Sequence, residues 1–195
     1  MEHPADLTQR IESTEAELDS AWLNGPPTAK PVELVEYDQD WPKAFETLRS
    51  AIAAALPGKT ISVEHIGSTS VPGLLAKPII DIDLVVQDSR QETEYVPALE
   101  ALGFSLEVRE PNWHEHRMLR LAQPRVNLHV FSPDCPETVR HLVFRDWLRA
   151  HPEDAERYAD CKREARNAFP DDVRGYTSAK DAVIDRIYAK AFGAA

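Results

Sequence analysis

The chain of 195 residues, 43% hydrophobic and 28% charged, is long enough for one domain with a hydrophobic core, which excludes a disordered protein. Its formal net charge of -11 repels a phosphate backbone, so we expect no general nucleic-acid binding. Two cysteines exclude a disulfide scaffold, and the acidic, polar N-terminus and the lack of a long apolar run predict a cytoplasmic protein without a signal peptide or membrane span.

The first 31 residues are expected to form a helix and a linker outside the main domain, which we place at residues 32–195. Apolar residues recur at helical spacing from Leu7 to Leu23, with acidic residues on the other faces. Asn24 to Pro31 contains Asn-Gly and Pro-Pro and is typical of a linker. The helix either packs on the domain or on another subunit, which is compatible with a homo-oligomer, or it is a solvated amphipathic helix.

The main domain is predicted to begin with a short strand, Val32 to Tyr37, followed by a helix that starts at Asp40. We expect Asp40 to act as the N-cap, with Pro42 in the first turn, and the helix to end near Pro57. One face of this helix is apolar and is interpreted as core rather than as a base-stacking site: Trp41, Phe45, Leu48 and Ile52.

Two β-prone runs follow, and the second one carries acids where a buried strand should have none. The first is Ile61 to Ile66; the second is Ile79 to Val86, in which six of eight residues are aliphatic. Asp81 and Asp83 are two residues apart and therefore face the same way, about 6.5–7 Å apart along the strand. Burying two like charges is costly unless they bind a cation such as Mg²⁺, or Mn²⁺ in its place, or are paired with Arg or Lys from elsewhere.

Gly67 and Ser68 lie between the two runs and are candidates for binding the phosphate that would accompany a metal ion. A glycine after a strand lets backbone N–H groups approach a ligand closely, and a short helix opened by Thr69 or Ser70 would add further donors suited to phosphate. The alternative is that Ser68 only caps this helix. The stretch as a whole predicts a divalent-metal and phosphate site.

The middle of the chain is predicted to complete the sheet. In chain order we expect a helix ended by Gly103, a strand, a polar loop and a hairpin of two strands: Ser89 to Leu102, Phe104 to Val108, Glu110 to Glu115, His116 to Leu121 and Arg125 to Phe131. Alternation puts Asn127 and His129 on one face of the last strand. It also puts Arg120, whose planar fork suits phosphate, on the face of His116 and Arg117 on the other.

The amino-acid sequence of the central stretch resembles that of a known family. HIGSTSVPGL at His65 to Leu74 and AKPIIDI at Ala76 to Ile82 are similar to the GrpB family, a branch of the polymerase-β-like nucleotidyltransferase superfamily, and the resemblance spans roughly Val32 to Ala191. It implies an α/β (α+β) fold: a nucleotidyltransferase-like small mixed β-sheet flanked by helices, with a C-terminal helical segment that closes the cleft.

The resemblance also implies roles for several residues. Asp81 and Asp83 would hold the metal and, together with His129, would be catalytic. His129 stands where the superfamily usually has a third carboxylate. It would act as general base, or alternatively be hydrogen-bonded within the sheet. Residues implied to bind substrate or phosphate are Gly67, Ser68, Lys77, Arg120, Lys162, Tyr176 and Lys180. Arg145 also matches a family feature, and surface ion pairs remain the alternative for these cations.

Three functions follow from this site. The first is Mg²⁺-dependent transfer of a nucleotide from an NTP to an acceptor, where the expected binding partner is an NTP or another phosphorylated small molecule. The second is a non-catalytic nucleotide-binding or interaction module, for which the fusion of GrpB domains to dephospho-coenzyme A kinase in some relatives implies an accessory role in coenzyme A metabolism. The third is a transition-metal site built from histidines: His65, His114, His116 and His129.

Overall fold

The computed structural model describes residue 7, residues 13–26 and residues 31–193. The helices of these ranges are α1 (Glu15–Ser20), α2 (Trp41–Ala55), α3 (Val96–Ala101), α4 (Pro136–Ala150), α5 (Pro152–Ala168), α6 (Val173–Ser178) and α7 (Asp181–Ala191). The strands are β1 (Thr60–Ile66), β2 (Ile80–Val86), β3 (Ser105–Glu110), β4 (His116–Leu121) and β5 (Val126–Phe131). No helix in the described ranges has the length and apolar character needed to cross a lipid bilayer.

The strands form one mixed sheet in the order β1-β2-β5-β4-β3. All pairs are antiparallel except β2 and β5, which run parallel and bring the acidic strand beside the His129 strand. The predicted fold class is therefore confirmed: a small mixed sheet, flanked by helices, with a helical segment at the C-terminal end. The predicted hairpin of β4 and β5 is confirmed as well.

One face of the sheet is covered by α2 and α3. Ile80, Ile82 and Leu84 of β2 alternate inward and pack with Ile52 of α2 and Leu99 of α3. The other residues of β2, Asp81 and Asp83, must then project from the opposite face, because successive side chains of a strand alternate. The core thus decides which face of the sheet carries the acids.

The C-terminal helices pack on the connector between β1 and β2. Val71, Leu74 and Leu75 of the connector are buried in one cluster with Tyr158 of α5 and Ile187 of α7. This packing places α4 to α7 beside the acidic face of the sheet. The family resemblance implies a helical segment that closes the cleft at this position.

The N-terminal segment extends the outer edge of the sheet. Trp22 forms an isolated bridge with Val108 of β3, and the Arg109 N–H donates to the Ala21 carbonyl oxygen at 2.9 Å. The helix predicted from Leu7 to Leu23 is wrong in extent, since α1 spans only Glu15–Ser20 and residues 8–12 lie outside the described residues. The chain has to leave the helix to pair with β3. Of the predicted linker, residues 27–30 also lie outside the described ranges.

Near the start of the main domain, one prediction is wrong and another is confirmed only in position. Val32 to Tyr37 is not a strand, because only Val35 pairs, in a bridge with Ala76. Asp40 occupies the N-cap position of α2, with Pro42 in the first turn, as predicted, but its side chain makes no capping bond within the described chain; instead the Asp40 N–H donates to the Asp38 carboxylate at 2.9 Å. Asp38 therefore forms the turn that starts the helix.

The helix predicted from Ser89 to Leu102 is broken. It consists of a 3-10 turn, Glu92–Glu94, and the short helix α3. The start of the segment is held by other bonds: the Ser89 hydroxyl donates to the Glu115 carbonyl oxygen at 2.8 Å, and the Tyr95 hydroxyl donates to the Ser89 carbonyl oxygen at 2.7 Å. Helical hydrogen bonds can form only beyond this anchored loop.

Candidate functional site

A cleft of about 760 Å³ lies between the acidic face of the sheet and the C-terminal helices. Eight of the ten residues predicted for the site line it: Gly67, Ser68, Lys77, Asp81, His129, Lys162, Tyr176 and Lys180. The other two, Asp83 and Arg120, are not part of its lining. Asp83 is 2% exposed, whereas Arg120 is half-buried. The structure therefore brings together residues that are up to 113 positions apart in the chain, from Gly67 to Lys180.

Gly67 lies directly against Asp81. Its φ of 67° is in the left-handed region, and a Cβ atom at this position would lie 2.6 Å from Oδ2 of Asp81. Cross-strand pairing of Ile66 with Asp81 fixes this approach. Ser68 then opens a 3-10 turn, Ser68–Ser70, so the turn begins one residue earlier than predicted and is too short to act as a helix N-terminus. Any anion at this turn must rely on single N–H groups and nearby cations.

Asp81 and Asp83 differ in their surroundings. Asn127 Nδ2 donates to Oδ1 of Asp81 at 2.8 Å; burial raises the pKa of Asp81, while this bond and the charge of Lys77 oppose the rise. His141 Nδ1 donates to Oδ2 of Asp83 at 2.8 Å. Burial opposes a charge on His141, but Asp83 outweighs it and raises the pKa of that imidazole.

The carboxylates fit a hard divalent cation. Oδ1 of Asp83 is buried and has no hydrogen-bond partner in the described part of the chain, and such an orphaned oxygen is what a bound ion or water would satisfy. Carboxylate oxygens are the ligands that Mg²⁺ takes in proteins, usually one or two together with substrate phosphates. The described residues form no group of three or more His, Cys, Asp or Glu side chains suited to a metal. The remaining ligands of an ion held here would come from a substrate and water.

His129 belongs to a chain of hydrogen bonds within the sheet. Its Nδ1 is 3.0 Å from Nε2 of His116, whose Nδ1 is 2.7 Å from Oε2 of Glu110. Nε2 of His129 lies 4.0 Å from Oδ1 of Asp81. Burial lowers the pKa of His116 and of His129 to about 3, so both imidazoles are neutral near pH 7.

The four histidines of the transition-metal hypothesis do not converge. His65 Nε2 is hydrogen-bonded to Thr69 Oγ1 at 3.0 Å, and its ring stacks on Phe45, with 4.8 Å between the ring centroids. Neither His65 nor His114 lines the cleft. Together with the lack of a suitable group of three ligands among the described residues, this geometry gives zinc no site here.

Three lysines surround the cleft. Lys162 is 2% exposed, donates to Ser68 Oγ at 3.1 Å and to the Leu75 carbonyl oxygen, and burial lowers its pKa to about 7. Burial also lowers the pKa of Lys180 to about 8 and lowers that of Lys77. Among the described residues Lys162 has no carboxylate partner, which is costly for a buried ammonium group and favours an anionic ligand.

Tyr176 links two of these lysines. Its ring is 4.4 Å from Nζ of Lys180 and 5.5 Å from Nζ of Lys77. The α6 helix ends at Ser178, so Tyr176 and Lys180 do not share one helix. Their contact arises from the turn into α7, where Lys180 is the residue before the first helical position.

The arginines divide as alternation predicts. Arg120 lies on the acidic face, opposite Asn127, and donates to its Oδ1 at 3.2 Å. Arg117 is buried on the other face, with its Nε 2.7 Å from Glu92. Arg145 donates to Glu64 and to the His65 carbonyl oxygen at 3.0 Å each, and does not line the cleft. Arg145 is therefore a structural residue rather than part of the site.

Two residues of the site were not foreseen from the sequence. His141 approaches the sheet from α4 to bind Asp83, and Glu110 ends the histidine chain from the last position of β3. Neither lies in a recognisable motif. His141 lies three and seven residues before the apolar Phe144 and Leu148, and a polar residue on such an apolar helix face is the one local signal that could have indicated it.

The comparisons with known proteins agree with the motif. The family model described as GrpB protein matches residues 31–190, and the chain belongs to this family. It is 48% identical over 160 residues to the UPF0157 protein BH1888 of Halalkalibacterium halodurans, covering 82% of each chain. The crystal structure of conserved protein GrpB from Enterococcus faecalis has a TM-score of 0.74 and 34% identity, covering 83% of this chain and 98% of that chain.

More distant similarities were also found. A dephospho-CoA kinase of Mycolicibacterium paratuberculosis is 27% identical over 220 residues, covering 97% of this chain and 54% of that protein. A structure of the Cid1 poly(U) polymerase has 12% identity and a TM-score of 0.45, covering 74% of this chain and 49% of that chain, which is too low a similarity to indicate an activity.

Proposed function

We propose that this protein is a Mg²⁺-dependent nucleotidyltransferase that binds an NTP in the cleft and transfers its nucleotide to an acceptor hydroxyl. The contact between Gly67 and Asp81 carries the proposal. It brings the backbone of a turn so close to a carboxylate that fits a divalent cation that no side chain can stand between them. A Gly-Ser turn against an Asp-x-Asp strand is also the feature by which the chain resembles the nucleotidyltransferase superfamily.

Most of the residues predicted for the site have a role in this reaction. Asp81 and Asp83 would hold Mg²⁺, which when bound neutralises phosphate charge. Gly67 and Ser68 would bind the β- and γ-phosphates through the turn. Lys162 and Lys180, with pKa values of about 7 and about 8, carry part of their positive charge near pH 7 and would stabilise the negative charge that develops on the departing pyrophosphate, with Lys77 and Arg120 as further cations.

Thermal unfolding with each NTP, with and without Mg²⁺, tests the binding step. A ligand that binds only the folded state raises the melting temperature, by an amount that depends on its concentration over Kd. We expect a Mg²⁺-dependent rise that is lost in Asp81→Asn. Asp134→Asn is the matched control, because Asp134 is exposed, does not line the cleft and has a φ of 61° that asparagine tolerates.

Pyrophosphate release in the presence of candidate acceptors tests the transfer step. Transfer that continues in the Asp81→Asn, Asp83→Asn double variant would refute the assignment of the two carboxylates. If wild-type protein shows no shift with any NTP although it is folded, the nucleotide proposal itself fails.

A non-catalytic binding module is the second candidate, and one observation favours it. A neutral imidazole, His129, stands beside Asp81 and Asp83 where a third carboxylate would help to hold metal. This candidate gives saturable, Mg²⁺-dependent NTP binding without pyrophosphate release. Because a relative carries the name dephospho-CoA kinase, dephospho-CoA and coenzyme A should be included as ligands in the thermal series.

A further inference from the structure

Glu110, His116 and His129 form a line of side chains that runs from the outer strands of the sheet to the cleft. Glu110 is the last residue of β3, and His116 and His129 lie on β4 and β5. The links measure 2.7 Å between Glu110 Oε2 and His116 Nδ1, and 3.0 Å between His116 Nε2 and His129 Nδ1. The side chain of His116 is 4% exposed, so water does not compete for either bond.

The positions of the hydrogens in this line follow from hydrogen-bond chemistry. An ionised carboxylate only accepts, so Nδ1 of His116 carries the hydrogen in the bond to Glu110. A neutral imidazole carries one hydrogen, so Nε2 of His116 is an acceptor. The hydrogen in the next bond therefore belongs to Nδ1 of His129, and Nε2 of His129 has none.

We infer that Glu110 and His116 are positioning residues that hold His129 in the Nδ1-protonated tautomer, with the bare Nε2 presented to the acceptor hydroxyl beside Asp81. His129 lines the cleft, and its Nε2 is 4.0 Å from Oδ1 of Asp81. Both of these atoms are acceptors, so a hydroxyl group beside them can donate its one hydrogen to Nε2 of His129. The acceptor role rests on the proposed function; the tautomer does not.

The same line gives the hydroxyl proton a path. As the acceptor oxygen forms its bond to the α-phosphorus and the bond to pyrophosphate breaks, the hydroxyl proton binds to Nε2 of His129. The hydrogen on Nδ1 of His129 passes to Nε2 of His116, and the hydrogen on Nδ1 of His116 passes to Glu110. Neither imidazole becomes a cation, which burial would oppose, and the proton ends on a carboxylate.

Long-range ¹H–¹⁵N NMR correlations of the histidine rings test the tautomer in the free protein near pH 7, without nucleotide or metal. We expect the pattern of a protonated Nδ1 and an unprotonated Nε2 for both His116 and His129. A protonated Nε2 on His129 would overturn the inference, and this holds whether or not the protein binds an NTP.

His116→Phe tests the link in a variant that keeps the ring packing. His116 stacks between His129 and Phe131, with centroids 5.1 and 4.9 Å away, and phenylalanine preserves the ring but removes both nitrogens. We expect the His129 signals to lose the Nδ1-protonated pattern. His114→Asn is the control, because it removes a neighbouring histidine at a φ of 55° that asparagine tolerates, and the His129 pattern should not change.

Kinetics then test the role in transfer. In His116→Phe we expect kcat to fall about 10²- to 10⁴-fold, the usual contribution of a general base, with KM for the NTP within about twofold of wild type. An unchanged kcat would overturn the role of His116 as a positioning residue for His129. If the wild-type protein binds no NTP, the proposed function fails, while the NMR measurement still decides the tautomer.

Discussion

A Cβ atom on Gly67 would lie 2.6 Å from Oδ2 of Asp81, closer than real Cβ contacts come. Gly67 also has a φ of 67°, and both conditions are met only by glycine. The turn and the acidic strand therefore lie in direct contact, and no side chain fits between them.

Gly67→Ala should destabilise the protein and abolish Mg²⁺-dependent NTP stabilisation. The left-handed backbone costs about 1–2 kcal/mol, and the clash with Asp81 adds about 1–3 kcal/mol. Gly73→Ala is the matched control, because its φ is 77° but its Cβ would meet nothing within 4 Å. Denaturant unfolding should show the backbone cost alone in Gly73→Ala. Equal losses in the two variants would mean that the contact with Asp81 is unimportant.

His129→Asp should turn the site into one with three carboxylates. His129 is the register partner of Asp83 on the neighbouring parallel strand, and adjacent strands lie about 4.8 Å apart. Without metal, the added negative charge should lower the melting temperature of the variant. Bound Mg²⁺ should offset this charge, so the rise in melting temperature on adding Mg²⁺ should be larger in the variant than in wild type. Thermal melts in EDTA and in Mg²⁺ measure both effects. His114→Asp adds the same charge outside the cleft and should not increase the Mg²⁺ response.

Lys162→Met should flatten the dependence of stability on pH above neutrality. The pKa of Lys162 is about 7 in the folded protein, against 10.5 for an ordinary lysine. Between these values the unfolded chain binds more protons, so the free energy of unfolding rises with pH in wild type. Each unit of pKa difference corresponds to about 1.4 kcal/mol. The free energy of unfolding of Lys162→Met should therefore rise by a few kcal/mol less than that of wild type over this pH range.

Denaturant unfolding of wild type and Lys162→Met at several pH values from 7 to 10 measures this slope. Lys59→Met is the control, because Lys59 is an exposed lysine and its replacement should leave the slope as in wild type. A slope that is the same in all three proteins would contradict the lowered pKa. The same Lys162 variant should weaken NTP binding, since it removes a cation beside Ser68.

Arg120→Gln and Arg117→Gln should have opposite consequences, because the two side chains leave β4 on opposite faces. Arg120 is half-buried beside Asn127, and Arg120→Gln should reduce the NTP-dependent rise in melting temperature with little loss of stability. Arg117 is 7% exposed and pairs with Glu92, and breaking such a bond to a charged group costs about 1.5–3 kcal/mol. Melting curves with and without Mg²⁺ and an NTP distinguish the two; a lost NTP response in Arg117→Gln would contradict this division.

The predictions of long helices were wrong where hydrogen bonds to distant parts of the chain replace the hydrogen bonds of the helix. Ser89 to Leu102 has helical composition, but Ser89 is held by Glu115 and Tyr95, so the helix forms only from Val96. The segment up to Leu23 leaves its helix at Ser20 because Ala21 and Trp22 pair with β3. Neither partner can be identified from the periodicity of the segment itself.

The sequence by itself determined which residues of a strand share a face. Asp81 and Asp83 on β2, Asn127 and His129 on β5, and Arg120 on β4 meet on one face because side chains alternate along every strand, which is a local rule. Only the tertiary structure decided how these groups are charged and held. His141 on Asp83, Glu110 on His116 and the burial of Lys162 depend on how helices and outer strands pack, and no local pattern encodes the solvation and partners that set a pKa.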